Sequence, residues 1–250
     1  MILYFSATGN SKYVAERIAA SLDDQAVSIE SQSPEISLKE NEVLGIVTPT
    51  NWWELPILTR EFIQRLKISA EVKPYIFVVS TYGTTAGASG SDAKHELKKR
   101  GYEMSAAFSI KMPDNWTPIF DLSNPEEVKK QNEDAEFAIE QLIKRISAHE
   151  QGNHQEHKTP YAIKPITNAF LNYERKTKHL YVEDACIGCG LCAKKCPVQA
   201  IEIRDKKPVW VKDQCAMCLG CLHRCPKFAI QYGNGKTKIH GQYKNPNTKV

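Results

Sequence analysis

The chain has 250 residues, 42% of them hydrophobic and 25% charged, with a formal net charge of +4. That length supports more than one hydrophobic core, and the composition excludes a disordered or fibrous polymer. No apolar stretch approaches the roughly 20 residues of a membrane span, and the basic residues are scattered without a nucleic-acid motif, so neither a membrane nor a nucleic acid is an expected partner.

In chain order, Met1 to Phe5 reads as a short apolar strand, and a helix fits near 11–22 with Val14, Ala15, Ile18 and Ala19 on one face. Further strands are expected at Ala26 to Glu30, Val43 to Val47, Pro74 to Ser80 and Met104 to Ile110, with helices near 57–68, 91–100 and 125–148. Short apolar strands separated by amphipathic helices predict an α/β fold, a parallel sheet covered on both faces with right-handed crossovers. Ligands in such folds gather at the carboxyl ends of the strands, where strand order reverses. The loops after strands one, three and four are therefore the expected site. A polar break, Glu150 to Pro160, sets the expected end of the first domain at residue 150. Residues 151–180 follow as a linker and connector helix, with Ile166, Ala169, Phe170 and Tyr173 at helical spacing. A small cysteine-rich domain is expected over 181–235, then a basic, poorly ordered tail over 236–250.

The loop after strand one is Ser6-Ala7-Thr8-Gly9-Asn10-Ser11. Small hydroxylated residues and a glycine at a helix start make an anion cradle, because free N–H groups converge there and the helix dipole favours negative charge. The dinucleotide glycine spacing and the Walker lysine are both missing. A single terminal phosphate monoester suits this loop better than a triphosphate with magnesium, although the same residue types are ordinary helix caps. The loops after strands three and four are Thr48-Pro49-Thr50-Asn51-Trp52-Trp53-Glu54-Leu55-Pro56 and Thr81-Tyr82-Gly83-Thr84-Thr85-Ala86-Gly87. Met112 to Pro118, after strand five, reads either as a cap on the same sheet edge or, preferably, as a structural lead into the last helix.

All eight cysteines fall into two copies of one run: Cys186-x-x-Cys189-x-x-Cys192-x-x-x-Cys196-Pro197 and Cys215-x-x-Cys218-x-x-Cys221-x-x-x-Cys225-Pro226. That is the bacterial ligand pattern for two 4Fe-4S clusters. Zinc is a poorer match, since three cysteines at this spacing crowd one tetrahedral ion and leave one over. Disulfides need an oxidising compartment. Nothing here looks like a secretory signal, and a strand that starts at Met1 leaves no removable leader, so a cytoplasmic location is expected. Strand-like alternation at Ala200 to Arg204, Pro208 to Val211 and Ala229 to Tyr232 repeats around the two runs.

Placed after an N-terminal strand, Ser6-x-Thr8-Gly9-Asn10-Ser11 resembles the FMN phosphate loop of flavodoxins, and the two later loops fall where flavodoxins hold the isoalloxazine ring. The cysteine runs resemble those of two-cluster ferredoxins, so nearly the whole chain is similar to the flavodoxin/ferredoxin fusion proteins of anaerobic microbes. The resemblance implies a flavodoxin-like doubly wound sheet of order 2-1-3-4-5 and a smaller α+β bacterial ferredoxin-like domain. It implies FMN held by Ser6, Ala7, Thr8, Gly9, Asn10 and Ser11, by Pro49, Thr50, Asn51, Trp52 and Trp53, and by Thr81, Tyr82, Gly83, Thr84 and Gly87. Trp53 is the preferred stacking residue, with Trp52 as the alternative. The opening Tyr4 to Ser11 has Ala7 where the family is expected to have glycine, and residues 51–55 lack the glycine that commonly eases a peptide flip beside the flavin. By the same resemblance one cluster takes Cys186, Cys189, Cys192 and Cys225 and the other Cys215, Cys218, Cys221 and Cys196.

These cofactors predict an electron relay: clusters move one electron, while a flavin holds one or two. Residues 181–250 hold twelve Lys and Arg against five Asp and Glu. This half is thus expected either to dock an acidic redox protein, such as a ferredoxin, or simply to carry Lys194, Lys195, Lys206 and Lys207 as solvated charges. His95, His179 and His223 read as surface or packing residues. An FMN-dependent reductase of a small molecule, fed by the clusters, is the alternative reading; no acid–base or nucleophile constellation favours it.

Overall fold

The computed structural model describes residues 1–250. The first unit runs β1 (Ile2–Tyr4), α1 (Asn10–Ser21), β2 (Ala26–Ser28), β3 (Glu35–Leu38), β4 (Val43–Pro49), α2 (Ile57–Arg65), β5 (Lys67–Ala70), β6 (Tyr75–Tyr82), α3 (Ser89–Lys99), β7 (Ala106–Lys111), α4 (Pro125–Ser147) and β8 (Gly152–Asn153). Six of these strands form one parallel sheet in the order β2-β1-β4-β6-β7-β8. Side chains alternate across it as the two-residue strand period demands. Val43 and Val47 of β4, with Phe77 and Val79 of β6, pack under α1 and α4, whereas Leu44 and Ile46, with Ile76 and Val78, pack under α2 and α3. Burial on both faces is what gave the strands their continuous apolar runs. Asn124 caps α4 by accepting from the N–H groups of Glu126 and Glu127, ahead of Pro125 at the first helical position.

Several expectations are corrected. The strand expected to reach Glu30 stops at Ser28, and the helix expected to reach 68 stops at Arg65. Leu66 turns extended there and leads into β5, which pairs parallel with β3 in a separate two-stranded sheet. Past residue 150 the chain still packs on the first unit: β8 pairs with β7, Gln155 is buried with its amide donating to Ser80 Oγ (2.8 Å), and Thr159 N–H donates to the Gly87 carbonyl (3.1 Å).

After a short turn of 3-10 helix at Tyr161–Ile163 comes the connector α5 (Lys164–Glu174), and after another at Thr177–His179 come β9 (Leu180–Val182), α6 (Leu191–Lys194), β10 (Ile201–Arg204), β11 (Lys207–Trp210), α7 (Gly220–His223), β12 (Ile230–Tyr232) and α8 (Lys236–His240). The apolar stripe of α5 faces outward, with Ile166 62% and Phe170 52% exposed. The helix docks through buried Leu171 and through polar contacts: Thr167 Oγ1 donates to Glu54 Oε1 (2.7 Å) and Lys164 pairs with Asp92. Arg60 ties the two buried carboxylates together at 3.0 Å each, which offsets the cost of burying them.

In the small unit β10 pairs antiparallel with β11, and β12 with β9. The tail is ordered, contrary to expectation. Tyr243 is buried, Asn245 N–H donates to the Thr8 carbonyl (2.8 Å), and Thr248 Oγ1 donates to Glu16 (2.7 Å), so residues 243–250 lie along the back of the first loop.

Candidate functional site

The loops after β1, β4, β6 and β7 meet at the carboxyl edge of the sheet, beside the β1–β4 neighbours where strand order reverses. They line a cleft with about 1100 Å³ of empty space, part of it open to solvent.

Its phosphate end is the β1–α1 loop. Gly9, at φ +102°, makes the left-handed turn into α1, and its N–H donates to Ser6 Oγ (3.1 Å). A helix start leaves the next N–H groups, on Asn10, Ser11 and Lys12, without partners inside the helix. Thr8 Oγ1 accepts from Asn115 Nδ2 (2.6 Å), which leaves the threonine's own proton free to donate. Ser11 Oγ and Thr81 Oγ1 share a hydrogen bond at 2.8 Å, joining the first loop to the third. The Asn10 side chain is already committed, donating to the Pro113 carbonyl and accepting from Asn245 Nδ2. Lys12 turns away, its Nζ donating to the Lys249 carbonyl.

The β4 loop closes on itself between Asn51 and Glu54, whose N–H and carbonyl groups exchange bonds at 3.0 and 2.9 Å. Trp52 and Trp53 are its two central residues, both left-handed at φ +47° and +63°. Asn and Gly dominate such turns because other residues pay for positive φ. Two tryptophans persist here because the turn is held from outside: Ala88 N–H donates to the Trp53 carbonyl (2.6 Å), and a Cβ on Gly87 would sit 2.3 Å from that oxygen. The pinned Trp53 carbonyl resists rotation for a second reason beside the missing glycine. Trp52 stacks on Phe170 of α5 (6.2 Å) and meets Trp116 edge-on (6.0 Å), while its indole Nε1 is buried without a partner.

Of the sixteen residues that the flavodoxin resemblance assigns to FMN, Ser6, Ala7, Thr8, Asn10, Ser11, Pro49, Thr50, Asn51, Trp52, Trp53, Thr81, Tyr82, Gly83 and Thr84 line the cavity. Gly9 and Gly87 stand behind its wall and shape the loops through their backbones. Residues 112–116, with Ile119 and Phe120, also line it, so this segment caps the site rather than only leading into α4. Within it, Asp114 packs so closely on Gly83 that a Cβ there would lie 2.1 Å from its side chain. Burial pushes the Asp114 carboxyl above its ordinary pKa, against the pull of the hydrogen bonds from Trp116 N–H (3.1 Å) and Thr84 Oγ1 (3.0 Å).

The cysteines gather around two hollows. Cys186, Cys189, Cys192 and Cys225 line one, and Cys215, Cys218, Cys221 and Cys196 the other. Each set joins three thiols of one run to the last thiol of the other. Desolvation pushes the Cys218 thiol up to about 12 and Cys221 well above its ordinary value, so these sulfurs ionise only against a strong positive charge such as iron. Backbone N–H groups already point at sulfur: Ala200 to Cys196 (3.3 Å), Met217 to Cys215 (3.2 Å) and Ala229 to Cys225 (3.3 Å).

The two runs follow one backbone path with different residues. Gly188 and Gly190 take positive φ in the first, where Met217 and Leu219 take it in the second, both at +51°. Side chains are thus kept where glycine would relieve strain, and Met217, Cys218 and Leu219 form part of the flavin-side cavity wall. No spacing in the sequence announces that contact.

The donor sets fit what the loops suggest: a phosphate-sized cradle with free N–H groups, an aromatic wall with an unpaired indole donor, and two four-thiol hollows. A family model described as a flavodoxin domain matches residues 1–135, and one described as a 4Fe-4S dicluster domain matches residues 178–226. No curated protein and no solved structure matches the chain. The flavodoxin domain implies FMN, and the dicluster domain implies iron–sulfur clusters. No helix is long and apolar enough to cross a membrane.

Proposed function

The chain belongs to the flavodoxin-domain family, and from that premise we propose that this iron–sulfur flavoprotein of electron transfer is a relay between two 4Fe-4S clusters and FMN, converting one-electron into two-electron steps. The observation that carries the reading is the shared wall: Cys218, flanked by Met217 and Leu219, lines the cavity into which the three flavodoxin loops open. When bound, the clusters supply single-electron chemistry and FMN supplies one- or two-electron chemistry.

The residues divide that work. The N–H groups at the start of α1 and the Thr8 hydroxyl hold the phosphate; Trp53, with Trp52 beside it, covers the ring. The cap from Met112 to Trp116 excludes water from the cavity, and Met217 and Leu219 keep the approach to Cys218 apolar. Cys189 is exposed, so the hollow formed with the first run faces outward and suits entry of electrons from a redox protein. The surplus of basic residues in 181–250 favours an acidic donor such as a ferredoxin.

An anaerobic reductive titration of the cluster-reconstituted, FMN-loaded protein, with iron and flavin analysis, tests this. The reading predicts one FMN and about eight irons per chain, with flavin and cluster absorbance both bleaching. Failure to retain FMN, or about four irons per chain, would overturn it.

A further inference from the structure

We propose that His223 is a positioning residue that fastens the flavin phosphate loop to the second cysteine run, so that FMN and the cluster beside it bind cooperatively. The inference rests on the flavin and cluster reading above. His223 is the last residue of α7, between Cys221 and Cys225, and is 1% exposed. Both ring nitrogens are engaged by backbone. Nε2 lies 2.9 Å from the Asn115 carbonyl and Nδ1 lies 3.1 Å from the Tyr243 N–H. A carbonyl only accepts and an N–H only donates, so the ring is held in the neutral form with its proton on Nε2.

Each partner continues to the phosphate loop. Asn115 donates its side-chain amide to Thr8 Oγ1 (2.6 Å). Tyr243 places its hydroxyl 2.8 Å from Asn10 Oδ1 and 2.9 Å from Asn132 Oδ1. The imidazole is thus the junction of two short chains of hydrogen bonds, one through the cap and one through the tail, both ending on the turn that opens α1. Its neighbour Arg224 adds a direct contact, Nη2 donating to the Ser6 carbonyl (3.2 Å). A cluster that orders the Cys221–Cys225 turn fixes the ring, and a fixed ring fixes the loop; linkage makes the effect reciprocal.

Isosteres separate the two arms. His223→Gln can still donate to Asn115, His223→Asn can still accept from Tyr243, and His223→Ala does neither. FMN affinity is read by fluorescence quenching on cluster-loaded protein, and cluster loss to a chelator is followed with and without FMN. His223→Ala is expected to bind FMN roughly 5- to 150-fold more weakly, the usual span of such couplings, with His223→Gln and His223→Asn in between. FMN is expected to slow cluster loss in the wild type and not in His223→Ala. If His223→Ala does not hold its clusters, Tyr243→Phe, which cuts the tail arm away from the thiols and leaves the cap arm, is expected to weaken FMN binding and to reduce that protection. Wild-type FMN affinity in cluster-loaded His223→Ala, or failing that in Tyr243→Phe, overturns the inference. A wild type that does not bind FMN overturns the reading beneath it.

Discussion

Trp53→Gly is expected to leave the flavin-free protein nearly as stable as the wild type while weakening FMN binding about 5- to 150-fold. Trp53 sits at φ +63°, where an L side chain costs roughly 1–2 kcal/mol and glycine avoids that steric cost at the expense of about 0.5–1 kcal/mol of chain entropy. The ring returns part of that through its edge contact with Trp52 at 5.2 Å, about 0.5–1.5 kcal/mol for such a pair. Losing the ring and losing the strain therefore come close to cancelling. The turn keeps its shape, because Ala88 N–H and the tightly packed Gly87 hold its backbone rather than the indole. Against a bound flat heterocycle the ring has no such offset. Aromatic stacking on a base contributes roughly 1–3 kcal/mol, which at about 1.4 kcal/mol per tenfold is the stated loss of affinity. Chemical denaturation of the flavin-free protein and an FMN fluorescence titration measure the two quantities separately. A loss of several kcal/mol in stability with unchanged FMN affinity would make Trp53 a packing residue and refute the reasoning.

Thr8→Val removes a hydroxyl whose proton is left for a ligand and is expected to weaken FMN binding about fivefold or more, with iron content unchanged; equal affinity by titration would move the phosphate elsewhere. Asp114 has its carboxyl pKa raised by burial, so its contribution to stability is full below its ordinary value of 3.8 and is lost as pH rises through the folded value. Relative to Asp114→Asn, the flavin-free wild type should therefore lose stability over that window, and parallel stability–pH curves for the two proteins would contradict this. Leu219→Gly should keep the loop path that Gly190 follows in the first run. It gives up a buried side chain worth roughly 2–5 kcal/mol while recovering about 1–2 kcal/mol of strain, for a net loss of about 1–3 kcal/mol. Bound FMN should also become more open to iodide quenching; a gain in stability on denaturation would show that Leu219 packs on nothing.

The central strands and four main helices of the first unit were legible because burial on both faces writes long apolar runs into β4 and β6 and a helical stripe into Val14, Ala15, Ile18 and Ala19. The β3–β5 pair was not, since strands of four residues, half exposed, carry too little pattern to stand out from a loop or a helix end. The cysteine spacing was legible because three thiols of each hollow lie within one run, whereas the fourth comes from the other run and was expected only from the resemblance to two-cluster ferredoxins. What binds the halves together is not local. Ile166 and Phe170 stand at helical spacing but are largely exposed, and Thr167 and Lys164 of the same helix reach a buried carboxylate pair. The tail read as disordered from its glycines, asparagines and lysines, yet Tyr243 and Asn245 find partners on the first loop. Polar contacts spanning 72 to 235 residues of chain leave no periodicity to detect. The left-handed tryptophans, methionine and leucine likewise look ordinary in sequence and show their cost only in backbone angles.

The relay itself is tested most directly by reducing FMN-loaded, cluster-reconstituted protein with a reduced ferredoxin as donor and following flavin absorbance in the wild type, Cys189→Ala and Cys218→Ala. Thiol removal at either hollow is predicted to cost that hollow its cluster and to slow or abolish flavin bleaching, most severely in Cys218→Ala, whose residue lines the flavin cavity. Undiminished flavin reduction in both variants would show that electrons reach the flavin without the clusters and would contradict the account.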